Sequence, residues 1–358
     1  MIFCAVLGIY FNMKKIVLTG GGTGGHITPN IALIEPLKSV FDEIHYIGRE
    51  TGLERDLIEK IDGVYYHGIS YSPKLERGKI LSNLTVPIKL IRAVSQARKI
   101  VDEISPTVIF SKGGFVALPV TLGAGKTPVV LHESDLSMGL ANKIASGFAD
   151  KILTSFDTGI KRAITVGAPL RAEIYRANPQ RAYRICGFCD ENKPVLLITG
   201  GSSGARAINN AVDGAIDKLC EKFNVIHLSG KGNGNDKKTG YYRTEYTDNM
   251  PDFLSLCSLA VTRGGANTLF ELVALKKPML VIPLPKGASR GDQIDNANYF
   301  AQRGCCSVLQ QDKLTPTALI NEVNSTYLAI EKIITAQSGI TQVDGRRKIV
   351  EILSSYVK

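Results

Sequence analysis

The chain repeats one local pattern, in which a short apolar strand runs into a glycine-rich loop and then into a helix. The first copy has its strand at residues 16–19 and its loop at 20–26. The second copy, about half a chain later, has its strand at 195–199 and its loop at 200–206. A glycine-rich loop at the start of a helix lets backbone N–H groups approach an anion closely. Two such copies predict two domains that each open with a phosphate-binding turn.

Both loops are followed by helical patterns. In the first copy Thr28 is a good N-cap and Pro29 suits the first helical position, so we predict that the helix begins there. In the second copy, one face of a single helix is predicted to carry Ile208, Val212, Ile216 and Leu219.

Further apolar runs alternate with longer helical stretches. They lie at 44–47, 108–110, 129–131, 151–154, 225–228, 259–262 and 279–283. Apolar runs that alternate with helices indicate parallel sheets covered on both faces. We therefore predict an α/β protein with two Rossmann-like, doubly wound domains at 13–165 and 166–339. The crossover is expected near 165–169, and a last helix at about 340–358 is expected to pack back on the first domain.

Composition limits the partners. The 358 residues carry a formal net charge of +10, which favours nucleic acid, an anionic membrane or phosphorylated ligands. Seven scattered cysteines are typical of a reduced compartment. Residues 1–12 lack the basic start and the cleavage site of a signal peptide, and Met13 resembles a natural start. We expect no membrane-spanning helix, because no stretch reaches about 18 uninterrupted apolar residues.

One segment of the first domain, residues 74–99, is both basic and apolar. Its cations are Lys74, Arg77, Lys79, Lys89, Arg92, Arg98 and Lys99. This composition suits peripheral binding to an anionic membrane, although a solvated helix over core residues is the simpler alternative. The segment has too few aromatic residues to stack single-stranded bases, so we do not expect a nucleic-acid partner.

A third glycine motif, residues 262–271, follows an apolar run and opens a helix. Glu271 is predicted about two turns into that helix. A carboxylate can accept hydrogen bonds from both hydroxyls of a ribose, whereas the alternative is a solvated helix glutamate. A polar run at 290–298 begins another helix, and amides there, such as that of Gln293, suit sugar hydroxyls.

Six motifs in order resemble the MurG family from about residue 13 to the end. They are GGTGGH at 21–26, HESD with LANK at 132–143, GAPLR at 167–171, GGSSGAR at 200–206, TRGGANTLFE at 262–271 and DQIDNAN at 292–298. The resemblance implies two Rossmann-like domains facing a cleft, the GT-B glycosyltransferase architecture. It implies inverting transfer of N-acetylglucosamine from UDP-GlcNAc to undecaprenyl-pyrophosphoryl-MurNAc-pentapeptide (lipid I), which gives lipid II for the cell wall. It further implies a peripheral location on the cytoplasmic face of the membrane, no cofactor or metal, and contacts with other cell-wall enzymes.

The resemblance also assigns residues. Those expected to bind substrate are Thr23, Gly24, Gly25, Arg171, Ser202, Thr247, Glu271 and Gln293. Of these, Ser202 is expected near the donor phosphates, Glu271 at the ribose and Gln293 at the sugar. The base that deprotonates the acceptor hydroxyl is expected among His26, Glu133 and Asp135, and His26 could instead bind phosphate. Many members read HEQN where this chain reads HESD, so Asp135 replaces a sugar-contacting asparagine.

Three alternatives remain at this point. Another lipid-directed UDP-sugar transferase of the same fold is the nearest one. UDP-GlcNAc 2-epimerase has a similar double-Rossmann shape but needs no lipid surface. A non-catalytic partner subunit is disfavoured, because such subunits usually carry one half of the fold and this chain has both glycine loops.

Overall fold

The computed structural model describes residues 13–22, 24–70, 86–201 and 204–357, which form two α/β units. The first contains a parallel sheet of strand order β3-β2-β1-β4-β5-β6-β7. Its strands are β1 (Lys15–Thr19), β2 (Glu43–Arg49), β3 (Val64–Ile69), β4 (Val108–Ser111), β5 (Val129–Glu133), β6 (Lys151–Thr154) and β7 (Ala163–Thr165). Its helices are α1 (Gly24–Leu37), α2 (Leu53–Ile58), α3 (Val86–Ile104), α4 (Leu118–Leu122) and α5 (Leu140–Ala145).

The second unit repeats this arrangement with strand order β10-β11-β9-β8-β12-β13-β14. Its strands are β8 (Val195–Thr199), β9 (Asn224–Leu228), β10 (Asp236–Lys238), β11 (Tyr241–Thr244), β12 (Leu259–Thr262), β13 (Met279–Val281) and β14 (Ser307–Val308). The edge strand β10 is antiparallel to β11, and the other pairs are parallel.

Helices precede, cover and follow the second sheet. They are α6 (Pro179–Cys186), α7 (Arg206–Asp213), α8 (Ile216–Lys222), α9 (Met250–Leu256), α10 (Ala266–Ala274), α11 (Asp292–Ala301), α12 (Pro316–Leu328), α13 (Ile330–Ser338) and α14 (Arg346–Ser354). Short 3-10 helices lie at Ala172–Arg176 and Gln311–Lys313. Within the described residues, no helix combines the length and the apolar composition needed to cross a bilayer.

Each central strand is apolar on both faces because helices cover both faces of each sheet. In β1, Leu18 packs into one core of the first unit and Val17 into the other. In β8, Leu197 and Ile198 are divided in the same way between the two cores of the second unit. The duplication therefore extends from the glycine loops to the whole architecture, and the predicted fold class is confirmed.

Two helix predictions were wrong in detail. Helix α1 begins at Gly24 rather than at Pro29, which lies inside it. The apolar face predicted after the second loop is buried, but it belongs to two helices that break at Gly214. A Cβ at Gly214 would lie 2.7 Å from Pro316 Cγ, so the break lets α12 approach closely.

Two chain segments connect the units, and they are hydrogen-bonded to each other. The N–H of Ala168 donates to the carbonyl of Val343 at 3.0 Å, and the N–H of Gly345 donates to the carbonyl of Ala168 at 2.8 Å. Beyond this bridge α14 returns to the first sheet, where Ile349 and Leu353 are fully buried. The chain thus crosses between the units at one place in both directions.

Gly167 in the first crossing should be sensitive to substitution. Its φ is +86°, and an added Cβ would lie 2.7 Å from the Val343 carbonyl oxygen. Gly159→Ala is the matched control, because Gly159 has φ +66° with nothing within 4 Å of an added Cβ. The control should cost about 1–2 kcal/mol of stability for the left-handed backbone. Gly167→Ala should cost clearly more, measured as the loss of unfolding free energy in urea. Equal losses in the two variants would contradict the close packing of the two crossings.

Candidate active site

Loops at the carboxyl ends of both sheets meet in a cleft between the units. Ligands bind at this edge of open parallel sheets, where the chain reverses its direction of winding. Hydrogen bonds cross the cleft directly. Asn267 Nδ2 donates to the Gly25 carbonyl at 2.9 Å, and the Leu136 N–H donates to Asn296 Oδ1 at 2.9 Å. The first glycine loop and the HESD turn therefore both contact the second unit.

The contact at Gly25 has a local cause in helix α1. Pro29 lies four residues after Gly25, and proline has no N–H to donate to the carbonyl of the preceding turn. The Gly25 carbonyl therefore lacks its intrahelical partner, and the Asn267 side chain supplies a donor from α10 instead. The early start of α1 and its internal proline together create an acceptor for the second unit.

His26 lies in the first turn of α1, against the loop that follows β4. A Cβ at Gly114 would lie 3.7 Å from His26 Nε2. Burial lowers the pKa of His26 to about 4; the charges of Lys112 and Arg290 also lower it, whereas Glu133 opposes them. The imidazole is therefore neutral at neutral pH and able to accept a proton.

Glu133 is 5% exposed, and donors occupy both of its carboxylate oxygens. Its Oε1 accepts from the Asp135 N–H at 3.0 Å. Its Oε2 accepts from the Gly139 N–H at 3.1 Å and from Asn142 Nδ2 at 2.8 Å. The carboxylate thus holds together the turn that leads from β5 into α5.

Asp135 connects this turn to the second unit. Its Oδ1 accepts from Asn296 Nδ2 at 3.0 Å, and its Oδ2 accepts from the Arg290 guanidinium at 3.4 Å. Asn296 is fully buried and also donates to the Gly264 carbonyl at 3.0 Å. Burial raises the pKa of Asp135 to about 6, and the Asn296 hydrogen bond partly opposes this shift.

Lys112, at the end of β4, was missed by the sequence analysis. It is 1% exposed, with Nζ 2.7 Å from His132 Nδ1 and a hydrogen bond to the Ser134 hydroxyl. Burial lowers its pKa to about 8, while the charges of Glu133 and Asp135 raise it. A signal was present in the sequence, because two glycines follow Lys112 after an apolar run, as in the other glycine loops.

In the second unit, Arg171 and Glu271 form a bidentate ion pair. Arg171 Nε donates to Glu271 Oε1 at 2.7 Å, and its terminal nitrogen donates to Oε2 at 2.8 Å. The Glu271 side chain is 7% exposed and that of Arg171 is 27% exposed. Each carboxylate oxygen keeps a second lone pair, so the pair can orient Glu271 without saturating it.

Of the remaining predicted residues, Gln293 and Thr247 make local hydrogen bonds, and two others lie outside the described residues. Gln293 is half-buried near the start of α11, where its Oε1 accepts from the Leu284 N–H at 3.0 Å. Thr247 is half-buried before α9, and its hydroxyl accepts from the Asn249 N–H at 3.0 Å. Gly24 is the first residue of α1. Thr23 and Ser202 lie outside the described residues.

The structure gathers the three candidate bases at one place. His26, Glu133 and Asp135 lie at the ends of β1 and β5, close enough for the charge of Glu133 to affect the other two. Arg171 and Glu271 lie in the other wall, at the crossover and on α10. A neutral imidazole can accept a proton from a hydroxyl, so the arrangement is able to support general base catalysis.

Comparison with known proteins agrees with this architecture. Residues 16–154 match the glycosyltransferase family 28 N-terminal domain, and residues 195–351 match its C-terminal domain. A protein of Clostridium tetani named UDP-N-acetylglucosamine–N-acetylmuramyl-(pentapeptide) pyrophosphoryl-undecaprenol N-acetylglucosamine transferase is 42% identical over 354 residues, covering 96% of this chain and 98% of that protein. A protein of the same name from Clostridium novyi is 40% identical, covering 96% and 99%.

Solved structures show the same fold. The crystal structure of Acinetobacter baumannii MurG superposes with a TM-score of 0.73 at 21% identity, covering 96% of this chain and 99% of that one. LpCGTa in complex with UDP superposes with a TM-score of 0.66 at 13% identity, covering 97% and 99%. The two units are thus the two domains of a GT-B glycosyltransferase, and the chain belongs to glycosyltransferase family 28 and, within it, to the MurG family that its motifs resemble.

Proposed function

We propose that this protein transfers N-acetylglucosamine from UDP-GlcNAc to lipid I, with inversion at the anomeric carbon, to form lipid II for peptidoglycan. The observation that carries the proposal is the 42% identity, over nearly the whole chain, to a relative named for this activity. The cleft supports it, because a candidate base in one wall faces a candidate nucleotide site in the other.

UDP release measures this function and separates it from the epimerase alternative. Purified protein with UDP-GlcNAc should release UDP when a lipid I analogue is present and should release almost none without it. A 2-epimerase would convert the donor without any acceptor. Acceptor-independent conversion, or transfer to diacylglycerol in place of the lipid I analogue, would contradict the proposal.

The two domains divide the substrates in this proposal. Residues 13–165 form the acceptor domain, with α14 packed against it, and residues 166–339 form the donor domain. On the donor side, the second glycine loop with Ser202 faces the diphosphate, the loop at Thr247 faces the uracil and Gln293 faces the sugar. Thr23, Gly24 and Gly25 of the first loop approach the donor from the opposite wall.

Glu271 is proposed to accept the ribose hydroxyls while Arg171 fixes its orientation. A carboxylate that accepts hydrogen bonds from a diol contributes about 1.5–3 kcal/mol to the binding free energy, because hydrogen bonds to a charged acceptor are stronger than those to a neutral one. The bidentate contact leaves lone pairs free on both oxygens of Glu271. Arg171 itself lies where it can add positive charge near the nucleotide.

Glu271→Ala should therefore weaken UDP binding by about 10- to 100-fold in titration calorimetry. Glu271→Gln should lose less UDP affinity than Glu271→Ala, because the glutamine side chain keeps one carbonyl acceptor. Glu331→Ala is the control, since Glu331 is an exposed glutamate on α13 of the same domain. If UDP binds the folded Glu271→Ala protein with native affinity, Glu271 does not contact the nucleotide.

Among the three candidate bases, we propose that His26 takes the proton from the acceptor hydroxyl. Both oxygens of Glu133 are already bound by donors of its own turn. Asp135 is engaged by Asn296 and Arg290 of the second domain. His26 is neutral at neutral pH, and a bound pyrophosphate would raise its low pKa by offsetting the nearby cations.

Removing the imidazole should lower kcat about 10²- to 10⁴-fold and leave UDP affinity unchanged. His26→Asn is the sharper variant, because asparagine keeps a hydrogen-bond donor but cannot take the proton. His67→Asn serves as the control, since His67 lies on β3 at the far edge of the sheet. Near-native turnover by His26→Asn excludes the base role, and weakened UDP binding would indicate a phosphate ligand instead.

The acceptor domain is proposed to rest on the cytoplasmic face of an anionic membrane. Five large apolar side chains on or beside α3 and α5 are 42–69% exposed: Ile88, Ile91, Leu140, Ile144 and Phe148. Leu90 of α3 packs against the cluster that contains Ala141 and Ala145 of α5, so the two helices share one side of the domain. Residues 74–85 of the predicted basic segment lie outside the described residues.

Cations accompany these apolar side chains. Lys89 and Lys143 are exposed on the same two helices. Apolar side chains that enter the interface and lysines that meet anionic headgroups act together in peripheral binding. Contacts with other cell-wall enzymes on this membrane belong to the same proposal.

The double variant Ile91→Ser with Phe148→Ser should bind vesicles of phosphatidylglycerol and phosphatidylcholine about tenfold more weakly in sedimentation. Binding of the unchanged protein should fall as salt rises, because the Debye length shortens. Leu328→Ser is the control, since Leu328 is 88% exposed on the donor domain. If the control loses as much binding as the double variant, the membrane surface lies elsewhere.

A further inference from the structure

Lys112 combines burial with charge at the centre of the acceptor domain. It is 1% exposed, and within the described residues no carboxylate lies within ion-pairing distance of its ammonium. Its partners are neutral groups, His132 Nδ1 and the Ser134 hydroxyl. Removing a charge from water without a direct counter-ion costs several kcal/mol. The buried charge of Lys112 is therefore unfavourable for stability, and ionisable groups in such surroundings are common at functional sites.

The contacts of Lys112 determine which ring nitrogen of His132 carries the proton. An ammonium can only donate, so His132 Nδ1 accepts from Lys112. The proton of the neutral ring is then on Nε2, which donates to the Gly167 carbonyl at 3.2 Å. Burial and the charge of Lys112 hold the pKa of His132 well below its usual range. The result is a buried chain of hydrogen bonds from the Ser134 hydroxyl to the crossover between domains.

The backbone of Lys112 also lies under the first glycine loop. Its N–H donates to the Thr19 carbonyl at 2.8 Å, and a Cβ at Gly20 would lie 2.8 Å from Lys112 Cβ. The same added Cβ would lie 3.0 Å from the His26 carbonyl oxygen, so Lys112 and His26 both pack close to Gly20. The positive charge of Lys112 accordingly helps burial to lower the pKa of His26. Lys112 thus contacts the first glycine loop and the HESD turn directly, and it reaches the crossover through His132.

We propose that Lys112 is a positioning residue for glycosyl transfer: it fixes the Ser134–Asp135 turn through the Ser134 hydroxyl and places a positive charge under the first glycine loop, which leads into His26. The first arm sets the geometry of the acceptor wall. The second arm adds to the effect of burial on His26, because a nearby cation further disfavours the imidazolium form. This inference rests on the proposed acceptor role of the cleft, and its second arm rests on the proposed role of His26.

Lys112→Met tests both arms, since methionine keeps most of the length and removes the charge. The variant should turn over about 10- to 100-fold more slowly, as expected for a displaced reacting group. Its KM for UDP-GlcNAc should change less than its kcat, because the proposed nucleotide contacts, Glu271 and Arg171, lie in the other domain. Its melting temperature should be equal or higher, since a buried charge has been replaced by an apolar side chain. If the role of Lys112 were purely structural, its replacement would lower the melting temperature together with the activity.

The second arm has a readout that does not depend on activity. The protein has five histidines, whose signals are followed by NMR in protein with labelled histidine. The signal that is missing in His26→Asn is assigned to His26, and its titration midpoint is then measured. Removing the cation should move the His26 midpoint to higher pH in Lys112→Met, and Lys112→Arg should keep it low. Ser134→Ala isolates the first arm: turnover should fall while the His26 midpoint stays in place.

Lys126→Met is the matched control, because Lys126 is an exposed lysine of the same domain and should behave like the unchanged protein. The proposal is overturned if folded Lys112→Met has a native kcat. It is also overturned if the variant loses turnover only because it is less stable, so that cooling restores both its fold and its turnover. An unmoved His26 midpoint overturns the second arm, and native turnover in Ser134→Ala overturns the first. If His26→Asn is active while Lys112→Met is slow, the base assignment fails and the positioning role stands.

Discussion

The pairing of the two crossover segments sets the geometry on which the site depends. Each glycine loop is a local product of its own strand and helix, and either domain could form one alone. The loops become one cleft because Ala168 is held between Val343 and Gly345 by backbone hydrogen bonds. With both crossings at one place, the carboxyl edges of the two sheets face each other, and α14 returns to the first sheet. Closing the chain in this way limits how far the domains can separate.

The two walls of the cleft differ in their electrostatics. The wall from the second domain holds a bidentate ion pair, Arg171 with Glu271, which orients the Glu271 carboxylate. The wall from the first domain instead holds ionisable groups whose pKa values burial has displaced: the pKa of His26 is lowered to about 4 and that of Asp135 is raised to about 6. Fixed charge suits recognition of a nucleotide, and displaced pKa values suit movement of a proton.

Much of this could be predicted from the sequence, for physical reasons. Central parallel strands are buried on both faces, so they are visible as apolar runs, and glycine loops mark where those strands end. The edge strands β3 and β10 were not predicted, because they carry polar and charged residues where one side meets solvent. The start of α1 was misplaced because Pro29 favours a first turn, whereas tertiary contact with Asn267 compensates for its missing donor. The two glycines after Lys112 marked its loop, but the partners of Lys112 and of Asn296 are distant in the chain and no local pattern indicates them.

In the proposed reaction, the cleft joins a donor sugar to an acceptor hydroxyl by direct displacement. The most direct measurement is the structure of the product made from UDP-GlcNAc and a lipid I analogue, by mass spectrometry and by the anomeric proton coupling in NMR. We expect one added N-acetylhexosamine on the muramyl sugar, in the β configuration opposite to that of the donor. An α linkage, or a modified nucleotide sugar with the acceptor unchanged, would contradict it.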